Sequence, residues 1–174
     1  LSDQVFYMGE HGWFDKRFMY QESFRTPLIM KYPALIQQGV HTQASMVNAD
    51  IAPTLLELSG VMKPAGMQGV SFVPVLKSPQ KEHRKRVFYH YFENGEHAVS
   101  PHFGVKEGRY KLIRFYKRVD AWELFDLQND PQELKNVYND PKYRTVVKKM
   151  KKALLQEIKN FDDTEAKEIF NKEI

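Results

Sequence analysis

The sequence contains no cysteine, which excludes a disulfide, a thiolate metal site and a cysteine nucleophile anywhere in its 174 residues. No apolar run comes near the roughly 20 residues that a membrane-crossing helix needs. Charge of one sign is not in excess either. The 26 Lys and Arg face 22 Asp and Glu, a net charge of +4, which describes a mixed, solvated surface rather than a nucleic-acid footprint. Internal repeats and low-complexity tracts are absent, as are the phosphate-loop, zincin and nucleophile-elbow patterns. Aromatic residues, by contrast, make up 13% of the chain and hydrophobic residues 42%. At this length that is enough to bury a core of ordinary size.

The pattern along the chain changes near residue 80. Before it, Lys16 to Phe24 reads as a short helix, and the apolar run Pro27-Leu28-Ile29-Met30 as a buried strand bounded by prolines. Asp50 with Pro53 opens a second helix that stops at Gly60. Beyond a charged bridge from Pro79 to Arg86, four segments rich in aromatic and β-branched residues follow: 86–92, 103–106, 110–115 and 122–127. Gly108 and the Asp120-Ala121 pair punctuate them, which predicts an antiparallel meander. From Pro141 to Phe161, Tyr143, Val147, Met150, Leu154, Ile158 and Phe161 recur at steps of three and four. That spacing predicts a helix laid on one face of the sheet, with Lys148, Lys149, Lys151 and Lys152 on its solvated side. The last dozen residues read as loosely held. Two regions are thus expected, 1–80 and 81–174.

The opening stretch, LSDQVFYMGEHGWFDKR, is the most polar and glycine-punctuated part of the chain. Asp3 and Gln4 offer a carboxylate and an amide oxygen, hard donors suited to Ca²⁺ or Mg²⁺. His11 and Lys16 follow closely, so a cation, an imidazole and an ammonium could converge on one anion. The same spacing fits a polar surface turn with a capping Asp and a solvated Lys. With the donor pair at positions 3 and 4, the rest of any metal site is expected upstream of Leu1, as is any targeting segment.

Several motifs in order carry a resemblance: Ser2-Asp3-Gln4, Gly9-Glu10-His11-Gly12, Lys16, then Glu22-Ser23-Phe24-Arg25-Thr26-Pro27. After them come Asn48-Ala49-Asp50-Ile51-Ala52-Pro53-Thr54, Gly69-Val70-Ser71-Phe72, Gly108-Arg109-Tyr110-Lys111 and Asn129-Asp130-Pro131-Gln132-Glu133. Together they resemble the type I sulfatases of the alkaline phosphatase superfamily, nearest the group acting on glucosamine 6-sulfate. The resemblance implies an α/β protein, α+β within this stretch: the end of the sulfatase α/β domain, then an antiparallel sheet packed with a C-terminal helix.

It also implies that Asp3 and Gln4 complete a one-ion Ca²⁺ site begun upstream, and that Lys16 and His11 are catalytic-site residues, Lys16 contacting a sulfate oxygen and the nucleophile. That nucleophile, a formylglycine made within a C/S-x-P-x-R motif, is expected upstream, since no such motif occurs here. Glu96, His97 and His102 match a loop that contacts sulfated sugars in glycan sulfatases; the aromatics around them also fit a sheet core. Expected partners are a sulfated sugar or glycan and the upstream part of the protein, with no nucleic acid and no membrane span. The family implies a periplasmic, secreted or lysosomal site of action. Where sulfatases usually carry Gly after the metal-ligand pair, this chain has Val5. A phosphomonoester or phosphonate hydrolase of the same superfamily, or a non-catalytic interaction module, are the alternatives.

Overall fold

The computed structural model describes residues 5–172, so Asp3 and Gln4 lie outside the described residues. The chain forms two compact units, one from the residues up to Leu28 together with those from Phe88 onward, the other Ile29–Val87. The seam at residues 87 and 88 lies near the expected change of pattern at 80. The described residues before Ile29 nevertheless group with the sheet that follows the seam. Among the described residues no helix is long and apolar enough to cross a membrane.

The larger unit is organised by a four-stranded sheet in the order β1 (Arg86–Tyr91), β2 (His102–Glu107), β3 (Tyr110–Phe115), β4 (Ala121–Asp126). The β2–β3 and β3–β4 pairs are antiparallel, with Gly104 opposite Ile113 and Leu112 opposite Leu124. This is the predicted meander. Alternation sends successive side chains to opposite faces, and both faces are buried. On one, Phe103, Val105, Leu112 and Leu124 meet Met150, Ala153, Leu154 and Ile158 of α4 (Arg144–Asn160) and Ala166 and Phe170 of α5 (Thr164–Asn171). On the other, Ile113, Phe115 and Phe125 are covered by Tyr7, Phe18, Met19 and Tyr20 from the opening stretch.

The expected stripe therefore sits on the sheet, and the end of the chain is better held than its composition suggests. Asp163 caps α5 by accepting the Ala166 N–H at 2.9 Å, and its other oxygen lies 2.5 Å from His90 Nδ1 on β1. That bond and the burial of Phe170 correct the expectation of a loose tail. Two further expectations fail for physical reasons. Only Gln21–Phe24 (α1) is helical in the stretch 16–24, because the Phe18 and Met19 carbonyls accept from side chains, Tyr7 Oη at 3.2 Å and Lys111 Nζ at 2.6 Å, instead of from the next turn. Residues 27–30 form no strand, and Ile29 is 86% exposed.

The smaller unit carries α2 (Ile51–Leu58) and α3 (Val73–Lys77). It is fastened by the fully buried Asp50, which accepts the Val47 and Val70 N–H groups at 3.2 and 2.9 Å and pairs with Arg84 and with His83 at 3.1 Å. Burial alone would raise the pKa of Asp50; these donors outweigh it and hold the carboxyl below its ordinary range.

Two groups in the larger unit tie the fold to pH. His102 is fully buried between the Phe18 and Phe115 rings, 5.6 and 4.9 Å between centroids, and its Nδ1 is 2.9 Å from the Ser100 carbonyl. Burial pushes its pKa down to about 4. Asp126 is gripped by both arms of Arg109 and by the Tyr143 hydroxyl, and chiefly through Arg109 its pKa is held at about 2.

Both native pKa values lie below the unfolded ones, about 6.5 and 3.9, so both contributions to stability are complete at high pH. On acidification the first is lost between about pH 6.5 and 4 and the second between about pH 4 and 2. Urea unfolding across pH should show both declines; His102→Phe should flatten the first and Asp126→Asn the second. Gly104 supplies a separate test. A Cβ there would stand 2.5 Å from the Leu112 carbonyl oxygen and 2.7 Å from Met19 Sδ. Gly104→Ala is expected to cost about 2–3 kcal/mol in the same assay.

Candidate active site

Residues 7–15 form a loop closed on itself by backbone bonds. Tyr7 N–H donates to the Asp15 carbonyl at 2.8 Å, Gly9 to Trp13 at 3.0 Å, Gly12 to Gly9 at 2.9 Å and Trp13 to Glu10 at 3.0 Å. Three of the four residues in Gly9-Glu10-His11-Gly12 sit at positive φ: Gly9 at 123°, His11 at 55° and Gly12 at 71°. Glycine meets that demand at two of them without steric cost. His11 adopts the left-handed region despite its Cβ, a conformation kept only where the surroundings over-determine it.

Those surroundings are specific. The His11 ring stacks on Tyr20 at 4.4 Å and 17°, meets Tyr7 edge-on at 6.1 Å, and has Nε2 3.4 Å from Glu22 Oε2. Tyr20 in turn donates its hydroxyl to Glu123 Oε2 at 2.8 Å. Burial, with Glu123 beside it, drives the Tyr20 pKa far above the ordinary phenol range, and Tyr7 likewise, so both stay protonated donors.

Lys16 lies five residues further on. Its backbone N–H donates to Asp15 Oδ1 and its carbonyl accepts from Ser23 Oγ; the next carbonyl, of Arg17, accepts from Tyr89 Oη at 2.9 Å. The main chain beneath the ammonium is thus fixed from three sides, and Nζ lies 5.8 Å from the Phe6 ring centroid. Asp15 also binds Arg17 Nη1. Burial opposes its ionisation, but the Lys16 N–H and the Arg17 guanidinium win and lower its pKa.

The loop bearing Glu96 and His97 returns close by. His97 is partly exposed, 3.5 Å from Glu93 Oε2, and Glu93 is among the groups that keep the Arg17 guanidinium charged. Glu96 is exposed. His102 is different: it is a neutral core ring with no exposed surface. Of the residues singled out from the sequence, His11 packs against Tyr7 and Tyr20, Lys16 lies in the same loop beside the Asp15–Arg17 pair, His97 lies beside Glu93, and Asp3 and Gln4 lie outside the described residues. Among the described residues no three His, Asp or Glu side chains are grouped so as to hold a metal. Sequence reasoning passed over Asp15, Arg17, Tyr20, Glu22 and Glu123. The charged pair was visible beside Lys16, whereas no local signal marks the stacking of Tyr20 on His11.

Comparison with known proteins places this arrangement. A family described as N-sulphoglucosamine sulphohydrolase, C-terminal, matches residues 9–160. An N-acetylglucosamine-6-O-sulfatase of Bacteroides thetaiotaomicron is 42% identical over 171 residues, 96% of this chain and 31% of that protein. A solved structure of a protein in complex with its substrate D-glucosamine-2-N,6-O-disulfate superposes with a TM-score of 0.90 at 42% identity, over 94% of this chain and 34% of the other. A phosphonate monoester hydrolase from Silicibacter pomeroyi shares the fold alone, at 22% identity and a TM-score of 0.72 over 86% of this chain and 32% of its own. The chain spans about a third of the length of the relatives it matches. It belongs to the sulfatase family and corresponds to that family's C-terminal region.

Proposed function

We propose that this chain supplies one wall of the active site of a sulfatase that hydrolyses a sulfate ester on a sugar, of the glucosamine 6-sulfate class. The observation that carries the reading is the ordered loop: Lys16 with its backbone pinned on three sides, and His11 held against Tyr20 and Glu22, in a chain 42% identical to an N-acetylglucosamine-6-O-sulfatase. An ammonium carried on a main chain fixed in this way offsets charge on sulfate oxygens as the ester bond breaks. His11, in the same loop and held on the Tyr20 ring, shapes the loop that carries Lys16. In this reading His97, partly exposed beside Glu93, is a candidate to meet the sugar.

Asp3 and Gln4, a carboxylate and an amide oxygen, fit Ca²⁺ by donor chemistry and would hold it with ligands from the upstream part. When bound, such an ion supplies electrostatic stabilisation of the sulfate oxygens. The formylglycine nucleophile also belongs upstream in this reading, so the residues of this chain orient and neutralise rather than attack. Phe6, Met8 and Phe14, exposed by 52, 70 and 75% on the same loop, suit a surface covered by that upstream part. Action outside the cytoplasm follows from a sulfated-glycan substrate.

The test is sulfate release from D-glucosamine-2-N,6-O-disulfate and from 6-sulfated N-acetylglucosamine by the protein that carries this chain, with Ca²⁺ present and after chelation. Release that chelation lowers is expected, and Lys16→Ala should reduce kcat on the order of 10²- to 10³-fold. Hydrolysis of phosphonate monoesters with transition ions and none of sulfate esters would overturn the assignment in favour of a phosphonate hydrolase. No ester hydrolysis of either kind would leave only a binding role.

A further inference from the structure

On the loop-side face of the sheet, beneath residues 19–21, sits a pair of opposite charges with no exposed side-chain surface. Lys111 Nζ lies 2.6 Å from Glu133 Oε1, and both side chains are 0% exposed. Burying two ions is expensive, and an apolar pair of similar volume commonly serves stability as well or better. A contribution to stability therefore does not account for the pair.

Its directed bonds do. Lys111 Nζ also donates to the Met19 carbonyl at 2.6 Å, and Glu133 Oε2 accepts the Gln21 N–H at 2.6 Å. A further contact, at 3.4 Å, joins Lys111 Nζ to Gln21 Oε1. The two ends of a three-residue segment are thus held by two ions that hold each other. Burial pulls Lys111 down and Glu133 up, and each charge opposes the shift of the other. Between the clamped ends stands Tyr20, whose ring carries the 4.4 Å stack with His11 and whose hydroxyl is fixed by Glu123.

We propose that the buried Lys111–Glu133 pair is a positioning device for His11, acting through the Met19–Tyr20–Gln21 segment that it holds at both ends. Met19 to Gln21 has almost no regular structure of its own; only Gln21 begins α1. The pair supplies the bonds that a ladder or helix would otherwise give. His11 sits at φ 55°, and in this proposal it stays there because its ring is stacked on Tyr20. Movement of Tyr20 away from the sheet would release it. The catalytic part of the proposal rests on the sulfatase reading above; the structural part does not.

The test uses the protein that carries this chain, with ¹³C-labelled histidine. The aromatic Cε1–H resonance of His11, displaced by the Tyr20 ring, is followed in the wild type, in Lys111→Met/Glu133→Leu, and in Leu154→Ala, a control that weakens the helix side of the core. The double substitution is expected to move the His11 resonance toward its free-histidine position and to lower kcat for sulfate release on the order of 10-fold or more, with KM changed less. Leu154→Ala should lower stability and leave the resonance in place. Glu133→Gln, a milder change that keeps the volume, should move it by a smaller amount in the same direction.

A folded double variant whose His11 resonance is unmoved overturns the proposal, and if that variant does not fold, an unmoved resonance in Glu133→Gln does so. A moved resonance with unchanged kcat overturns its catalytic part. Wild-type protein that releases no sulfate counts against the sulfatase reading, and the resonance still decides whether the pair positions His11.

Discussion

A four-stranded sheet has two faces, and in this chain neither is left to solvent. The helical side is covered in the ordinary way, by an amphipathic α4 and a capped α5. The other side is covered by residues 7–20, a segment with hardly any regular hydrogen bonding, and that requirement shapes the rest of the larger unit. A strandless segment can cover a sheet only if its backbone groups find partners elsewhere. The sheet and the turn that follows it supply them: Lys111 and Tyr89 donate to the Met19 and Arg17 carbonyls, and Glu133, beyond β4, accepts the Gln21 N–H. The loop that holds His11 and Lys16 is thus ordered by the sheet beneath it, and the polar residues of the sheet face are spent on holding it.

The same demand explains which parts of the structure could be read from the amino-acid order. The strands were legible because alternation, β-branching and Gly108 between β2 and β3 agree with one another. The α4 stripe was legible because Met150, Leu154 and Ile158 recur at one helical turn. The tail misled because the features that fix it, the cap at Asp163 and the bond from Asp163 to His90, join residues far apart in sequence. Residues 16–20 misled for the same reason. Their composition suits a helix, but the carbonyls that a helix would use are taken by side chains from β3 and from Tyr7.

The candidate site was legible in its chemistry more than in its architecture. Glycine on both sides of His11, and a lysine five residues later, pointed to a tight polar loop that the positive φ angles bear out. His102 shows the limit of that approach. A histidine in a glycan-facing motif and a histidine in an aromatic core look alike in sequence, and only the ring contacts with Phe18 and Phe115 tell them apart. Tyr20 shows the converse. It reads as an ordinary core aromatic, yet it links a partly buried carboxylate, Glu123, to the face of His11.

In the order of the chain, residues 29–87, a unit of their own, separate the loop from the strands that support it. The contact from Lys111 to Met19 spans 92 positions. On a growing chain the loop emerges ahead of its partners at β3 and Glu133, which are made only after the whole intervening unit. Closing such distant contacts is slow, and domains otherwise fold in order of synthesis. His11 and Lys16 are therefore made well before β3 and Glu133 and take their final shape only once those arrive, so the order of synthesis leaves this loop waiting on residues far downstream.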